Sequence, residues 1–489
     1  MMKNRFYLIL TILCVCNLQP KTCFGQDCTC NDDLQFLIEK VEKNYFAFKN
    51  QKVVKERYKI LVDSLTDIAK KNGYANCLQI LRKYTDQFND KHLVVYINEP
   101  VKDKTKIPLL FSKTETIIIK ESDLLKKLNS KDIDPIEGIW IIPGTNYEIA
   151  IIADKTTNRD FVGFIRKADS LYWMPHQVKL EIKKGYNTYT TDFFARDHSV
   201  YHTSLQNFTN TSFKVQYSGT IFQKIYPPAP QSTSINQSES KETTDFGFKK
   251  LDNQTCLLTI PSFAKEYKPI IDSIIDRNRK IILSTENLIV DLRNNIGGTT
   301  PSYKKIIPFL YTNPIVKDGY SVLATEDNIA AHQEVLAYPE LTEDNRKEYR
   351  KIITRLKNNK GGLVSFPGDT TKMSNIYKYP EKIGIIINEL SASTTELFVL
   401  EAKQSKKVTI FGSQTMGSVH SLDVNTLSLP CGLLGLSYPL SMNNRALKIP
   451  TPSEILKADI QLPLEENKNW VELVRKHMKQ ISDSASKSE

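Results

Sequence analysis

A pair of glycines follows a strongly apolar stretch in the second half of the chain. The stretch reads NLIVDLRNNIGGTTPSY over residues 287–303, and Gly297 and Gly298 come after a predicted β-strand. Because glycine lacks a Cβ, backbone N–H groups in such a turn can approach a ligand and stabilise a developing negative charge. A phosphate site would need GxGxxG or P-loop spacing, which this stretch lacks. The pair therefore indicates either an oxyanion hole or a tight strand-to-helix turn.

A run of small hydroxyl residues forms the second candidate. NELSASTTELFVLEAKQ, residues 388–404, follows the apolar run KIGIII and continues into a predicted helix. Ser393 or Thr394 can be an ordinary helix N-cap, with Glu396 completing a capping box. A serine at a helix N-terminus also gains from the helix dipole, which suits a nucleophile. Both interpretations stay open on this stretch alone.

Together, the two stretches resemble the carboxy-terminal processing peptidase and tricorn core peptidase family. The resemblance rests on a strand ending in DLRNNIGG and, about a hundred residues later, on SASTTE, a helix and VTIFGSQTMGS; it covers roughly residues 250 to 465. It implies an α/β catalytic layer of the ClpP/crotonase type with Ser393 as the nucleophile. It also implies that Gly297, Gly298 and the Thr394 N–H form the oxyanion hole.

A serine needs a positioned base before it can act as a nucleophile. In one branch of the family the base is a lysine after the TxG turn, but TMGSVH places Ser418 there, which excludes a Ser–Lys dyad. The tricorn-like branch uses a histidine from before the catalytic core, and His92 in FNDKHLVV matches that arrangement. His92 could instead be a solvated turn residue, and His420 is the rival base, two positions after Ser418.

The resemblance also implies a third residue that orients the histidine. Tricorn-like relatives use a glutamate in the segment before the final strand, which reads IPTPSEILKADIQLP here. Glu454 is the acid that precedes Asp459 in this segment. The family usually has glycine and proline where this chain has Leu456 and Ala458, so Glu454 could also be an exposed loop carboxylate.

Periodicity divides the rest of the chain into regions. Residues 26–98 predict a helical N-terminal domain, because apolar residues recur at intervals of three and four. Residues 99–228 alternate with a period of two and predict a small all-β domain, a barrel or sandwich, where the family normally carries a PDZ domain. Residues 229–245 predict a linker. Residues 246–489 alternate strand and helix and predict an α/β peptidase core with an insertion or lid at 314–369.

The first 25 residues read as a secretory signal peptide, with a basic start, an apolar run and cleavage after Gly25. They predict a secreted or periplasmic, cell-envelope protein without a membrane span after signal removal. A lipoprotein acylated at Cys14 or Cys16 is the alternative. The net charge of +11 falls to +8 once the three basic residues of the signal are removed. Because the remaining lysines are mixed with acids, nucleic-acid binding is not predicted.

The cysteines that remain after signal removal are Cys28, Cys30, Cys77, Cys256 and Cys431. In an oxidising compartment we expect one bridge from the CTC motif to Cys77. Cys256 and Cys431 lie in apolar runs and are predicted to be core residues. No CxxC pair or histidine cluster has zinc spacing, so no metal or cofactor is predicted.

These features predict a secreted serine peptidase that cleaves a peptide or protein substrate through an acyl-enzyme. The alternative is a catalytically inactive protein of the same fold that holds a hydrophobic or peptide ligand. The separation of His92 and Ser393 distinguishes the two hypotheses, because a base must lie within hydrogen-bond reach of its proton. A weaker alternative assigns carbohydrate binding to the β-domain, with Trp140 and Trp173 as stacking platforms. The oligomeric state is not predicted.

Overall fold

The computed structural model describes ten segments of the chain: residues 28–50, 55–101, 103–155, 159–185, 188–216, 218–228, 246–339, 341–448, 454–463 and 469–485. The predicted signal peptide at 1–25 and the predicted linker at 229–245 lie outside these segments. Within them, no helix combines the length and the apolar character needed to cross a membrane.

Helices dominate the N-terminal part of the chain. They are α1 Cys30–Asn44, α2 Phe46–Asn50, α3 Lys55–Asn72 and α4 Cys77–Asp86, followed by strand β1 Val94–Ile97 and by helices α5 Ile107–Leu110 and α6 Glu121–Leu128. The apolar side chains of α1 to α5 belong to one hydrophobic core that continues into the β-strands of the barrel and of a C-terminal sheet. Leu124 and Leu128 of α6 pack in a separate cluster with barrel residues. The N-terminal helices therefore do not enclose a core of their own.

Eight antiparallel strands form a closed barrel. They are β2 Gly138–Ile141, β3 Glu148–Ala153, β4 Phe161–Lys167, β5 Val178–Lys184, β6 Tyr189–Phe194, β7 Val200–Gln206, β8 Ser212–Val215 and β9 Ile221–Tyr226. Pairing of β9 with β2 closes the barrel, which removes both sheet edges. Trp140 and Trp173 are 0 % exposed. They fill the core, so the hypothesis that they are surface stacking platforms is wrong.

The remaining elements build two further sheets and their covering helices. In chain order they are β10 Gly247–Lys250, β11 Thr255–Thr259, α7 Lys268–Ile282, β12 Asn287–Asp291, α8 Ile307–Leu310, β13 Ile315–Val316, β14 Tyr320–Leu323, α9 Glu326–Glu334, α10 Glu343–Lys357, β15 Leu363–Phe366, β16 Thr370–Thr371, β17 Lys382–Ile387, α11 Thr394–Ala402, β18 Val408–Gly412, β19 Ser421–Ser428, β20 Leu434–Asn443, β21 Ile460–Gln461 and α12 Trp470–Ala485.

A mostly parallel sheet carries helices on both faces. Its strand order is β10-β11-β12-β17-β18-β21, and only β10 runs antiparallel to its neighbour. Ile385 and Ile387 pack on the side of α7 and α11, whereas Ile386 packs against Trp470 of α12. Because both faces are covered, β17 can be apolar at almost every position. The C-terminal ends of β12 and β17 lie side by side in this layer.

A second sheet pairs a strand from the N-terminal part of the chain with strands from its C-terminal part. Its order is β1-β20-β14-β15, and β19 also pairs with β20. Strand β1 runs antiparallel to residues 434–437 of β20, and β14 pairs with β20 further along. The segment 314–369 therefore supplies two strands to this sheet. It is integrated into the fold and differs in this respect from a lid laid over the α/β layer.

Two disulfides fasten the N-terminal segment. Cys30 and Cys77 are bonded, which confirms the predicted bridge from the CTC motif. Cys28 is bonded to Cys431, so the prediction that Cys431 is a reduced core residue is wrong. The apolar run around Cys431 is the turn between β19 and β20, which lies against α1, and the Cys431 N–H donates to Asp33 Oδ1 at 2.9 Å. Cys256 is buried and unbonded, as predicted.

Candidate active site

Ser393 lies at the N-terminus of α11, directly after β17 and a turn at residues 388–392. Its backbone has φ 55° and ψ −118°, a combination that residues other than glycine rarely adopt. Such strain costs about 1–3 kcal/mol and is characteristic of sharp strand-to-helix turns that present a side chain. The Ser393 side chain is half-buried at this turn.

The turn before Ser393 is bonded to the turn that follows β12. Asn294 N–H donates to Asn388 Oδ1 at 2.8 Å, and Asn388 Nδ2 donates to Asn294 Oδ1 at 2.7 Å. The Ala392 N–H donates to Asn295 O at 3.0 Å. Neighbouring parallel strands end at the same edge of a sheet, so two sequence motifs almost a hundred residues apart meet here.

The glycine pair lies against the Ser393 turn. A Cβ on Gly297 would sit 2.9 Å from both Ser393 Cβ and Thr394 N, so this close approach requires glycine. The Gly297 N–H donates to Asn295 Oδ1 at 3.0 Å. The Phe263 N–H donates to Gly297 O, and the Thr299 N–H donates to Phe263 O. The N–H and C=O of Gly298 between them therefore face the other way. The Thr394 hydroxyl donates to that Gly298 O at 2.8 Å.

His92 reaches Ser393 from the N-terminal part of the chain. Its Nε2 lies 3.2 Å from Ser393 Oγ, and the two residues are 301 positions apart. Pairing of β1 with β20 places the residue, because His92 precedes β1 by two positions. The structure therefore brings together the predicted nucleophile and the predicted base.

Asp90 holds the backbone of the His92 turn. Its Oδ1 accepts the His92 N–H at 2.9 Å, an Asx-turn contact. Its Oδ2 accepts hydrogen bonds from the Tyr45 hydroxyl, at 2.8 Å, and from the Ser421 hydroxyl. One carboxylate thus joins the helical segment, the His92 turn and strand β19. In the sequence, this aspartate stands in the Asn-Asp pair of FNDKHLVV, two residues before the histidine, and that pair was the available signal.

Glu396 is fully buried below the Ser393 turn. Its Oε1 accepts hydrogen bonds from Thr415 Oγ1 at 2.6 Å and from Gly417 N at 2.9 Å. Its Oε2 accepts hydrogen bonds from Ser418 N at 2.9 Å, Ser418 Oγ at 2.5 Å and Ser393 N at 2.8 Å. The capping box proposed from the sequence is present, but Glu396 also fastens residues 415–418 to the nucleophile turn.

Glu454 contacts other groups than His92. Arg445 donates two hydrogen bonds to its carboxylate, at 2.5 and 2.6 Å, and His420 Nε2 lies 3.4 Å from Glu454 Oε2. The Arg445 guanidinium lowers the pKa of Glu454 below its usual value. Among the described residues no group hydrogen-bonds to the buried Nδ1 of His92, and no hydrogen bond joins the rival base His420 to Ser393. The structure places Glu454 and His420 together, and among the hydrogen bonds of the described residues neither is joined to His92 or Ser393.

Within the described segments, one group of potential metal ligands comes together, formed by Cys28, Asp33 and Cys431. The two sulfurs are bonded to each other, so neither is available as a thiolate ligand.

Comparison with known proteins gives one family match. Residues 254–441 match the model of peptidase family S41, and this span contains the glycine pair and Ser393. No curated protein sequence matches the chain.

Solved structures give broader but more distant likenesses. The structure of mature CPAF complexed with lactacystin is 14% identical, covers 93% of this chain and 98% of its own, and has a TM-score of 0.50. The photosystem II D1 C-terminal processing protease is 12% identical over 89% of this chain and 93% of its own, with a TM-score of 0.36. The tricorn protease is 11% identical over 88% of this chain and 34% of its own, with a TM-score of 0.34. At 14% identity, the likeness to CPAF concerns the fold alone.

Proposed function

We propose that the chain is a serine peptidase of family S41, whose model its residues 254–441 match, with Ser393 as the nucleophile and His92 as the general base. The observation that carries this proposal is the 3.2 Å separation of His92 Nε2 and Ser393 Oγ. This distance is within the reach that proton transfer needs. A purely ligand-binding protein of the same fold would have no need to bring these two side chains together.

The reaction follows from the positions of these groups. Ser393 Oγ attacks the carbonyl carbon of the scissile peptide bond while His92 Nε2 takes the hydroxyl proton. The resulting imidazolium returns that proton to the leaving amine as the C–N bond breaks, which leaves an acyl-enzyme. Water activated by His92 then hydrolyses the ester and regenerates Ser393.

The oxyanion hole is proposed to consist of the glycine pair and Thr394. Of the pair, Gly298 is the better donor, because the Gly297 N–H is already bonded to Asn295. The Gly298 C=O accepts a hydrogen bond from the Thr394 hydroxyl, and the Thr394 N–H is at the first position of α11. Two such backbone donors at a helix N-terminus suit the charge that develops on a carbonyl oxygen.

Glu454 is proposed as the third member of the site, acting on His92 without a direct hydrogen bond. Its carboxylate is bonded to Arg445 and lies near His420, whereas Nδ1 of His92 is buried and needs a partner when the ring is charged. Apo sites are often looser than the same sites with substrate bound. A comparison of substitutions at Glu454 and Arg445 distinguishes this role from that of a simple ion-pair partner.

We further infer that the six-stranded sheet is a catalytic layer of the ClpP/crotonase type. Its parallel strands and the position of the nucleophile helix after β17 support this assignment. The substrate is proposed to be a peptide or protein. Two disulfides fit a secreted or cell-envelope location. The proposed cleavage after Gly25 is tested by sequencing the N-terminus of the mature protein, and a first residue other than Gln26 would argue against it.

A fluorophosphonate probe tests the proposal directly, because it reacts only with an activated serine. Wild-type protein should be labelled, and Ser393→Ala should not be labelled at all. His92→Ala should lower the labelling rate by about 10³-fold or more, since the nucleophile loses its base. His420→Ala serves as the comparison for the rival base and should have a much smaller effect. Labelling that persists in folded Ser393→Ala would remove Ser393 as the nucleophile.

A further inference from the structure

The backbone N–H of Ser393 is directed away from the substrate side and into the protein. It donates to Glu396 Oε2 at 2.8 Å and to Ser418 Oγ at 2.7 Å. The Ser418 hydroxyl can accept this bond because its own proton is donated to Glu396 Oε2 at 2.5 Å. The Ser393 N–H is therefore held by a closed triangle of Ser393, Ser418 and Glu396.

An ordinary helix cap does not need this arrangement. A capping glutamate normally lies on the surface and bonds to a single N–H group. Glu396 is 0 % exposed and receives five hydrogen bonds, and no lysine or arginine among the described residues pairs with it. A carboxylate buried without a cation is stable only when all its lone pairs are bonded. The position of the Glu396 carboxylate is therefore fixed, and the groups that bond to it are held in place.

The hydrogen bonds of this triangle hold a residue whose backbone is strained. Ser393 has φ 55° and ψ −118°, so other backbone conformations are locally more stable. Relaxation of Ser393 to a negative φ is a rotation about its N–Cα bond that turns its N–H relative to its Cβ. The two bonds of the N–H and the 3.2 Å approach of Oγ to His92 Nε2 could not then both be kept. The bonds that oppose this rotation thus also set the direction of the hydroxyl.

We propose that Glu396 and Ser418 are positioning residues that hold the Ser393 backbone so that its hydroxyl points at His92. This inference rests on the proposed function of Ser393 and His92. It assigns the Ser393 N–H to the protein interior and leaves the neighbouring Thr394 N–H for the oxyanion. Ser418, which occupies the position of the base in the lysine branch, has here become a bridge between the nucleophile turn and a buried carboxylate.

The test compares fluorophosphonate labelling rates of Glu396→Gln, Ser418→Ala and Ser418→Thr with the wild type. A misplaced nucleophile loses about 10²-fold in rate for a shift on the order of 1 Å. We expect about that loss for Glu396→Gln, a loss of about tenfold for Ser418→Ala, and recovery of most of that loss by Ser418→Thr, which keeps the hydroxyl. With a peptide substrate, kcat should fall and KM should stay within about twofold, because the substrate-binding groups are untouched.

Thr342→Ala is the matched control, because Thr342 caps the exposed helix α10 far from the site in sequence. It should destabilise the protein by a cap's usual amount without changing the labelling rate. Wild-type labelling rates in folded Ser418→Ala and Glu396→Gln would overturn the inference, and so would a rise in KM at constant kcat. If Glu396→Gln does not fold, the two Ser418 variants decide the question. Absence of wild-type labelling would instead count against the proposed function.

Discussion

The turn that presents Ser393 and the turn that presents His92 are held in different ways. The Ser393 turn is bonded to its neighbours in one α/β layer, through Asn294, Asn388 and Glu396. The His92 turn depends on distant parts of the chain. Asp90 beside it bonds to Ser421, which is 331 positions away, and β1 pairs with β20.

The position of Ser393 therefore depends on contacts within one layer, whereas the position of His92 depends on contacts between distant segments of the chain. The proposed nucleophile and its proposed oxyanion donors come together when β12 and β17 pair. The proposed base, His92, reaches them only after long-range pairing between the first and last thirds of the chain, and such contacts are costly in loop entropy. Every polar atom of Glu396 is satisfied on the Ser393 side, whereas His92 leaves Nδ1 without a hydrogen-bond partner among the described residues.

Among substitutions outside the proposed Ser393–His92 pair, the largest expected effect comes from Gly297 beside the Ser393 turn. An alanine Cβ there would lie 2.7 Å from Ala392 O and 2.9 Å from Ser393 Cβ, so the nucleophile turn must shift. We expect Gly297→Ala to lower the labelling rate by about 10²-fold or more. Gly361→Ala is the matched control, because Gly361 also has a positive φ, 78°, but nothing lies within 4 Å of its Cβ position. Equal labelling of both variants would show that the close approach is unimportant.

A smaller effect is expected on the His92 side from Glu454→Gln. If the carboxylate supports the charged imidazole without touching it, kcat should fall by about tenfold, less than for a directly bonded triad acid. Arg445→Gln breaks the same ion pair but keeps the carboxylate, so it should have little effect on kcat. Steady-state kinetics of both variants give the answer. Similar losses in the two variants would mean that Glu454 matters only as the partner of Arg445.

The smallest expected effect on catalysis comes from Asp33, whose contact with the Cys431 turn helps to hold the N-terminal segment that carries His92. Burial raises the pKa of Asp33 to about 6, and Asp33 joins α1 to the Cys431 turn. Because the folded-state pKa is above the unfolded value, the folded protein binds more protons between about pH 4 and 6. Stability should therefore fall as pH rises through this window, by on the order of 3 kcal/mol for this group, and stay level above it.

Urea unfolding of wild type and Asp33→Asn at several pH values measures this contribution as a difference in slope. The exposed Asp67→Asn is the control and should leave the slope unchanged. The same slope in wild type and Asp33→Asn would mean that Asp33 titrates normally. In protein that stays folded, titration of Asp33 should change the labelling rate little. Asp33 contacts the Cys431 turn and does not contact Ser393 or His92.

Short motifs made part of the site predictable from the sequence. The stretch SASTTE, the glycine pair and the histidine after an Asn-Asp turn each carry their chemistry in a few neighbouring residues, and the structure places Ser393, Gly297 and His92 together. The alternation of β17 and α11 was visible for the same reason, since periodicity is a local signal. The domain boundaries proposed at residues 98, 228 and 245 stay predictions.

The features that the sequence did not reveal depend on contacts between distant segments. Cys431 lies in an apolar run, and nothing nearby indicates that its partner is 403 positions away. The two strands that 314–369 contributes to the second sheet were hidden because pairing partners have no local signature. Glu396 was visible as a capping residue, but the five hydrogen bonds to its buried carboxylate require the turn at 415–418 to arrive from elsewhere.

The bond between Cys28 and Cys431 closes residues 28–431 into one covalent ring. Both Ser393 and His92 lie inside this ring. A single peptide-bond cut within it opens the ring but does not divide the molecule, so the nucleophile and its base stay on one covalent assembly. A protein nicked once within this ring therefore still migrates as a single species until a reductant separates the pieces.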